Sequence, residues 1–397
     1  MIAKRVLLAG LICTLLVTAW PIHRLLQRML GGLAPAPEVS GAYKVGRATL
    51  ELAGPDAARE LTLWWPLAPA CGGGFSSPES ALSSSGCTAQ RESVRDAIGC
   101  AEAGALPAAA PDAWGLVLYQ AAWKSSREDN ARLAESLASQ GLIVAALDDP
   151  ALEGQPTQPF DMTTPERVEE TVRYLTLRAS AAAARAIATL NQLSLCLSGR
   201  SGWPGEVWSR VGFVGFSFGG TTALEAARQD RRIRAVVNLD GYVFTEPSHI
   251  EVPVLTLTSD FLAPRLRRPG KPHPRQAPDW PYNAQGFARS LEMADGGGAS
   301  LTISGTLHDS FSDWAVRPDH VLTAKYARHA LRLAPRAAHA AMTDLVAGFL
   351  HQQLGGAPDA FAIAAVEHGA LLRQNTSSGP GAPWRAAAPM KPGAGSR

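Results

Sequence analysis

Arg210-Val-Gly-Phe-Val-Gly-Phe-Ser-Phe-Gly-Gly220, running on into Thr221-Thr-Ala-Leu-Glu-Ala-Ala-Arg228, is the stretch that decides the fold. A short apolar run stops at Gly215-Phe216-Ser217-Phe218-Gly219, and an alanine-rich helical pattern starts at once. A strand that turns directly into a helix through Gly-x-Ser-x-Gly is a nucleophile elbow. The serine stands on a sharp, strained turn with its hydroxyl exposed. Side chains two residues to either side would collide with the neighbouring strand and helix, so both positions are glycine. Ser217 is therefore the expected nucleophile. The competing reading is a structural serine in a glycine-rich strand–helix turn.

The rhythm on either side of the elbow agrees with this. Trp114–Tyr119 and Leu142–Leu147 read as apolar strands, with an amphipathic helix from Ser126 to Gln140 between them that Gly141 ends. A long alanine-rich helix is predicted from Pro165 to about Leu195, with the proline in its first turn. Beyond the elbow, Ile233–Leu239, Val252–Thr258 and Ser300–Ile303 read as strands. A Pro/Arg-rich loop, Pro264–Pro281, precedes the last of them, and Asp319–Leu354 reads as mostly helical. Short apolar strands alternating with helices predict an α/β fold, a mostly parallel central sheet with helices on both faces. Tyr43–Leu52 and Arg59–Trp65 add two strands at the start.

The chain of 397 residues is long enough for one such domain with tails, and its net charge of +2 offers no basic stripe for nucleic acid. Lys4-Arg5 precede an apolar run from Val6 to Trp20, the pattern of a signal peptide or short signal anchor. The expected organisation is a signal peptide or N-terminal membrane anchor over 1–30 and a linker over 31–42. The main domain covers 43–372, with a Gly/Ser/Ala/Cys-rich insertion at 70–111, and a disordered tail covers 373–397. Export to a periplasmic, secreted or membrane-anchored location follows from that segment. In an oxidising compartment Cys71, Cys87, Cys100 and Cys196 permit two disulfides in three connectivities. No Cys/His spacing suits a metal, and no cofactor is implied.

A serine nucleophile needs a general base, and the base needs an orienting carboxylate. On a sheet with an elbow serine these follow in the order Ser, Asp/Glu, His, each on a loop at the carboxyl end of a strand. His308 stands just beyond the last strand, where Ser304-Gly305 allow the chain to turn back; His320 is the reserve. His329, His339 and His351 fall in the C-terminal helical region. Asp240 and Asp260 end successive strands and compete for the acid, and position slightly favours Asp260. The oxyanion donors are the N–H of Phe218, next to the nucleophile, and an N–H from the loop around Ala122-Trp123. Trp123, Phe216, Phe218, Tyr242 and Phe244 are candidates for an apolar acyl pocket.

Four segments together resemble the platelet-activating-factor acetylhydrolase / lipoprotein-associated phospholipase A2 group of α/β-hydrolases. They are Leu137-Ala-Ser-Gln-Gly-Leu-Ile-Val-Ala-Ala146, Gly215-Phe-Ser-Phe-Gly-Gly220, Asn238-Leu-Asp-Gly241 and Gly305-Thr-Leu-His-Asp-Ser-Phe-Ser-Asp313. The resemblance implies an α/β-hydrolase fold and a triad of Ser217, Asp240 and His308. The acid thus moves to Asp240, with Asp260 in reserve. It also implies carboxylic ester hydrolysis through an acyl-enzyme on short-acyl or oxidised phospholipids, without metal or cofactor. Other readings are a small-ester or polyester hydrolase, or a catalytically silent hydrolase-fold binding protein. The chain departs from the family pattern at Phe216, where the family carries histidine. It departs again at Ala121-Ala122, which replace a His-Gly pair and leave Trp123 at the donor position.

Overall fold

The structure is a computed structural model that describes residues 22, 26, 39, 41–54, 56–67, 87–89, 115–197, 205–260, 277–317, 335–376 and 379–383. Eleven strands are β1 (Val45–Leu52), β2 (Glu60–Pro66), β3 (Cys87–Ala89), β4 (Gly115–Gln120), β5 (Leu142–Leu147), β6 (Val211–Phe216), β7 (Ile233–Leu239), β8 (Val254–Ser259), β9 (Ala299–Ile303), β10 (Leu372–Thr376) and β11 (Gly379–Pro383). They form one sheet in the order β11-β10-β9-β8-β7-β6-β4-β5-β2-β1-β3. The six central strands, β5 to β9 in that order, are parallel, and antiparallel strands extend both edges. The strand order reverses between β4 and β6. A crevice therefore opens there at the carboxyl ends, the place where open sheets put their ligands.

Burial on both faces explains why the central strands read as unbroken apolar runs: β4, β5 and β6 are buried at every position. Helices α1 (Ala131–Ser139), α5 (Pro335–Gln353) and α6 (Ala360–Glu367) cover one face, sealing a core that includes Leu137, Val144, Val214, Leu257, Phe349 and Phe361. Helices α2 (Pro165–Leu197), α3 (Phe218–Gln229) and α4 (Trp280–Asp295) cover the other, over Leu118, Ile143, Leu190, Phe213 and Leu224. This is the α/β-hydrolase architecture expected from the sequence.

Several boundaries differ from the sequence reading. The Ser126–Gln140 helix is interrupted: a 3-10 turn, Arg127–Asn130, precedes α1. Asn130 breaks it because its side chain turns inward, donating to the Tyr119 hydroxyl at 2.9 Å and to Phe311 O at 3.0 Å. Helix α4 stands where no helix was expected, opening behind Asp279 with Pro281 in its first turn. Residues 373–376 and 379–383, assigned to the tail from the sequence, belong to β10 and β11, which extend the sheet beyond β9. Within the 70–111 insertion, Cys87–Ala89 pairs with β1. The rest of the insertion, the Val6–Trp20 run and residues 318–334 lie outside the described residues. Among the described residues no helix is long and apolar enough to cross a membrane.

Strand β10 does more than extend an edge. Asn375, buried on it, donates to Ser300 Oγ at 2.9 Å and Thr258 Oγ1 at 3.2 Å, and accepts from Thr302 Oγ1 at 2.5 Å. Ser300 Oγ in turn meets Ser290 Oγ of α4 at 2.6 Å. Replacing the amide strands buried hydroxyls at about 1–3 kcal/mol. Asn375→Ala is therefore expected to lower unfolding free energy by about 2–3 kcal/mol in a urea titration, more than a surface substitution at Gln374.

Candidate active site

Ser217 sits between β6 and α3 with φ 55° and ψ −117°, a conformation that non-glycine residues rarely adopt. Its N–H donates to Leu239 O at 2.8 Å and its carbonyl accepts from Gly220 N at 2.9 Å, so the turn is tied to β7 and to its own helix. The two flanking glycines are steric necessities. A Cβ on Gly215 would lie 2.0 Å from Gly219 O, and one on Gly219 would lie 2.1 Å from Gln120 O of β4.

The residues expected as acid and base meet as a pair. Asp240 Oδ2 lies 2.6 Å from His308 Nδ1, so a protonated Nδ1 donates to it and Nε2 is left as the basic nitrogen. Asp240 Oδ1 accepts from Ser259 N at 2.6 Å, and Asp240 N–H donates to Leu257 O at 2.7 Å. The acid therefore stands on the end of β7 and is gripped by β8. It too has a left-handed backbone, φ 55°. Fully buried Asn238 holds this corner: its Oδ1 accepts from Gly241 N at 2.9 Å and its Nδ2 donates to Gly241 O at 3.1 Å. That accounts for the Asn-x-Asp-Gly spelling.

Asp260 does not reach His308. Its Oδ2 accepts from Gly305 N at 2.9 Å and its own N–H donates to Thr306 Oγ1 at 3.3 Å. It braces the loop that carries the histidine instead. The remainder of the histidine motif does the same work. Ser310 Oγ accepts from Leu307 N at 3.1 Å, and Phe311 is buried. Asp313 accepts from Arg132 N at 2.8 Å and lies 3.2 Å from His339 Nε2, joining α1 to α5. The sequence reading left His339 and Asp313 without roles. His320 lies outside the described residues.

The oxyanion loop follows β4. Phe218 is the first residue of α3, where backbone N–H groups have no partner inside the helix and the helix dipole favours an anion. Trp123 lies in a turn closed by Ser125 N–H to Ala122 O at 3.0 Å. The next residue, Lys124, has φ 55°. The end of β5 holds this loop in place. Ala121 N–H donates to Leu147 O at 3.1 Å, and Asp149 N–H to Ser125 O at 3.1 Å. Arg127 N–H donates to Asp148 Oδ1 at 2.7 Å. Burial raises the Asp149 carboxyl above its ordinary range, against the pull of the Ala151 and Lys124 amides and of Arg178 and Arg185. Among the described residues the non-glycine residues with positive φ are Lys124, Ser217 and Asp240, one at each corner of the site.

A cavity of about 360 Å³ opens beside Ser217, Asp240 and His308. Of the aromatic residues expected to bind substrate, Tyr242 lines it and Phe216 and Phe244 do not. Phe216 is buried beneath the His308 ring, with centroids 4.9 Å apart, and borders a second, polar cavity of about 340 Å³. Phe244 stacks on Tyr242 at 5.4 Å. Trp123 and Phe218 pack on each other and, with Phe160 and Tyr174, form an aromatic cluster around Trp123. The cavity walls that sequence reasoning missed come from Phe160 and from Asp279, Tyr282, Asn283 and Phe287 at α4. The signal was present in Asp279-Trp-Pro281, a helix start. Burial, then the charges of Asp279 and Asp240, push the Tyr242 phenol well above its ordinary range, so it stays protonated and donates to Asp279. Elsewhere, Asp344, Glu367 and His368 bring ligand atoms within 4.8 Å of one another, but His368 Nε2 is engaged by Asp344 Oδ2 at 2.8 Å.

Residues 206–361 match the family model for platelet-activating factor acetylhydrolase, isoform II. No curated protein sequence matches the chain. Among the solved structures that match is a ferulic acid esterase from Streptomyces cinnamoneus. It has 23% identity and a TM-score of 0.49, and the match covers 82% of this chain and 94% of that one.

The two aspartates separate by experiment. Asp240→Asn is expected to lower kcat by about 10³–10⁴-fold by mis-setting the histidine tautomer. Asp260→Asn, which only loosens the His308 loop, is expected to lower kcat about tenfold or less while reducing stability by about 1–3 kcal/mol. Steady-state kinetics and urea unfolding on both variants check this; the reverse ranking of kcat moves the acid to Asp260. The elbow, the carboxylate–imidazole pair and the sheet that carries them have the arrangement of the α/β-hydrolase fold, and residues 206–361 of this chain match the family model for platelet-activating factor acetylhydrolase, isoform II.

Proposed function

We propose that the chain hydrolyses carboxylic esters through an acyl-enzyme on Ser217, with short-acyl or oxidised phospholipids as the substrate class. The observation that carries the reading is the 2.6 Å contact between Asp240 Oδ2 and His308 Nδ1 beside the strained elbow serine. Ser217 Oγ attacks the ester carbonyl as His308 Nε2 takes its proton. The N–H groups of Phe218 and Trp123 receive the developing oxyanion. His308 then passes the proton to the leaving alcohol, and Asp240 steadies the imidazolium. Water repeats the sequence and frees the acid. The phospholipid part of the reading is supported by the family match over residues 206–361. A small-ester or polyester substrate is the alternative within the same chemistry.

A fluorophosphonate probe is expected to label the wild-type chain at Ser217 and to leave Ser217→Ala unlabelled. Absence of label on the wild type would favour a silent binding protein. Turnover of short-chain phosphatidylcholines alongside soluble esters is the expected substrate profile. Activity confined to the soluble esters would remove the phospholipid from the proposal.

Export in an oxidising compartment belongs to the same proposal. It is supported by the Lys4-Arg5 and Val6–Trp20 pattern. Cys196, buried near the end of α2, is expected to be one of the bridged cysteines. Alkylation of the denatured chain before and after reduction, read by mass, is expected to expose Cys196 only after reduction. Full alkylation without reductant would rule the bridge out.

A further inference from the structure

A row of polar side chains crosses the sheet on the face that α4 covers. Asn238 of β7, Thr256 of β8 and Ser300 of β9 are in register, and Thr258 and Thr302 form the next row toward the carboxyl ends. Leu255, Leu257, Leu301 and Ile303 alternate with them and enter the opposite, apolar core. Polar groups this deep need partners, because an unmatched buried hydroxyl costs about 1–3 kcal/mol.

Four of the five have them. Asn238 is spent on Gly241. Ser300 is held by Ser290 and Asn375. Thr258 and Thr302 share a bond at 2.7 Å, and Asn375 reaches both. Thr256 is the exception. It is 1% exposed, and its Oγ1 has no hydrogen-bond partner among the described residues. Thr256 is also in the wall of the cavity that begins at Ser217. Valine has the same shape and would fill the position without the unpaired hydroxyl, so packing does not account for threonine here.

Depth follows from the strand. Ser259, at the end of β8, grips Asp240 at the level of the triad. Thr256 lies three residues earlier on the same strand, roughly 10 Å further in at about 3.3 Å per residue. The cavity wall is drawn from both β8 and α4 and includes Tyr242, Gly286 and Phe287. A Cβ on Gly286 would meet Val243 at 3.8 Å, an ordinary van der Waals contact, so the wall closes on that side without a clash. The cavity surface is mostly apolar, and its wall includes a deep hydroxyl that needs a partner.

We infer that this cavity is an acyl subsite for medium-length acyl groups that carry a hydroxyl at the end remote from the ester, with Thr256 Oγ1 as the group that reads that hydroxyl. The ester carbonyl lies at Ser217, the chain passes Tyr242 and Phe287, and the distal hydroxyl pairs with Thr256. A plain alkyl chain of the same length leaves the threonine unsatisfied and binds more weakly. The subsite deepens the ester-hydrolase reading and takes from it the placement of the ester at Ser217.

The test is made on the full chain carrying Ser217→Ala, so that esters bind without turnover. Methyl hexanoate is titrated calorimetrically against its ω-hydroxy analogue, with the neighbouring chain lengths in parallel, in the presence and absence of Thr256→Val. The hydroxylated ester is expected to bind about five- to tenfold more tightly at one chain length. Thr256→Val is expected to bring that ratio to about one. A ratio near one before the Thr256 substitution means that water satisfies the threonine, and overturns the proposal. A ratio that survives Thr256→Val places the reader elsewhere, and overturns it too. Because binding is read on a serine-less chain, the result stands apart from fluorophosphonate labelling of the wild type. Loss of labelling with the ratio intact would sink the hydrolase reading and leave the subsite.

Discussion

The backbone at Ser217 is the constraint on which this site is built. A residue with φ 55° and ψ −117° lies outside the ordinary regions and costs on the order of 1–3 kcal/mol. It persists only because its surroundings allow nothing else. Gly215 and Gly219 bring β6, α3 and β4 closer together than any Cβ permits, and β7 takes the serine N–H. The same device recurs at Asp240 and Lys124, again with φ 55°. Strain of this kind concentrates where a side chain must be aimed, and here it falls at the residues proposed as nucleophile and acid and in the loop proposed to hold the oxyanion.

Each strained corner is paid for by the strand beside it. Asp240, on β7, is gripped by Ser259 of β8; the loop after β4 is gripped by Leu147, Asp148 and Asp149 at the end of β5. The parallel register makes this possible, since neighbouring strands end at one level and each supplies donors to the loop beside it. The loop before Trp123 is thus held by a buried carboxylate and a turn rather than by a side chain in the loop itself. Phe216, in the elbow where the resembling family has histidine, supports the His308 ring from below. The apolar ring lies against one face of the imidazole while Asp240 engages its Nδ1.

Local chemistry explains which parts of this were legible in the sequence. The elbow could be read because its glycines answer to steric contacts within a few residues. His308 and Asp240 could be read because their motifs carry their own supports: Asn238 and Gly241 for the acid, Ser310 and Phe311 for the base. Asp260 looked like a rival acid because it ends the next strand. Only the fold shows its carboxylate turned to Gly305. Helix α4 was hidden by the Pro/Arg-rich stretch ahead of it, and with it most of the cavity wall. Strands β10 and β11 were hidden because Leu372-Arg-Gln-Asn-Thr376 is polar. It earns its place in the sheet through one side chain, Asn375, whose partners are more than seventy residues away. Non-local polar pairing leaves no period in the sequence, whereas apolar burial does.

That polar pairing also bears on how the fold serves the site. A row of hydroxyls and amides between a sheet and its covering helix is costly unless every member is matched, and a partly matched network is worse than an apolar one. Here the matched members lock β8, β9, β10 and α4 to one another, fixing the far wall of the cavity. The unmatched member, Thr256, stands where that rigid wall meets the cavity. Were the row apolar, α4 would pack as tightly and the cavity floor would distinguish acyl groups by length alone. With the row polar, the floor is set by a single hydroxyl whose neighbours are all committed elsewhere. A ligand atom reaching it competes with water and not with the protein, which is the condition under which one hydrogen bond discriminates between substrates.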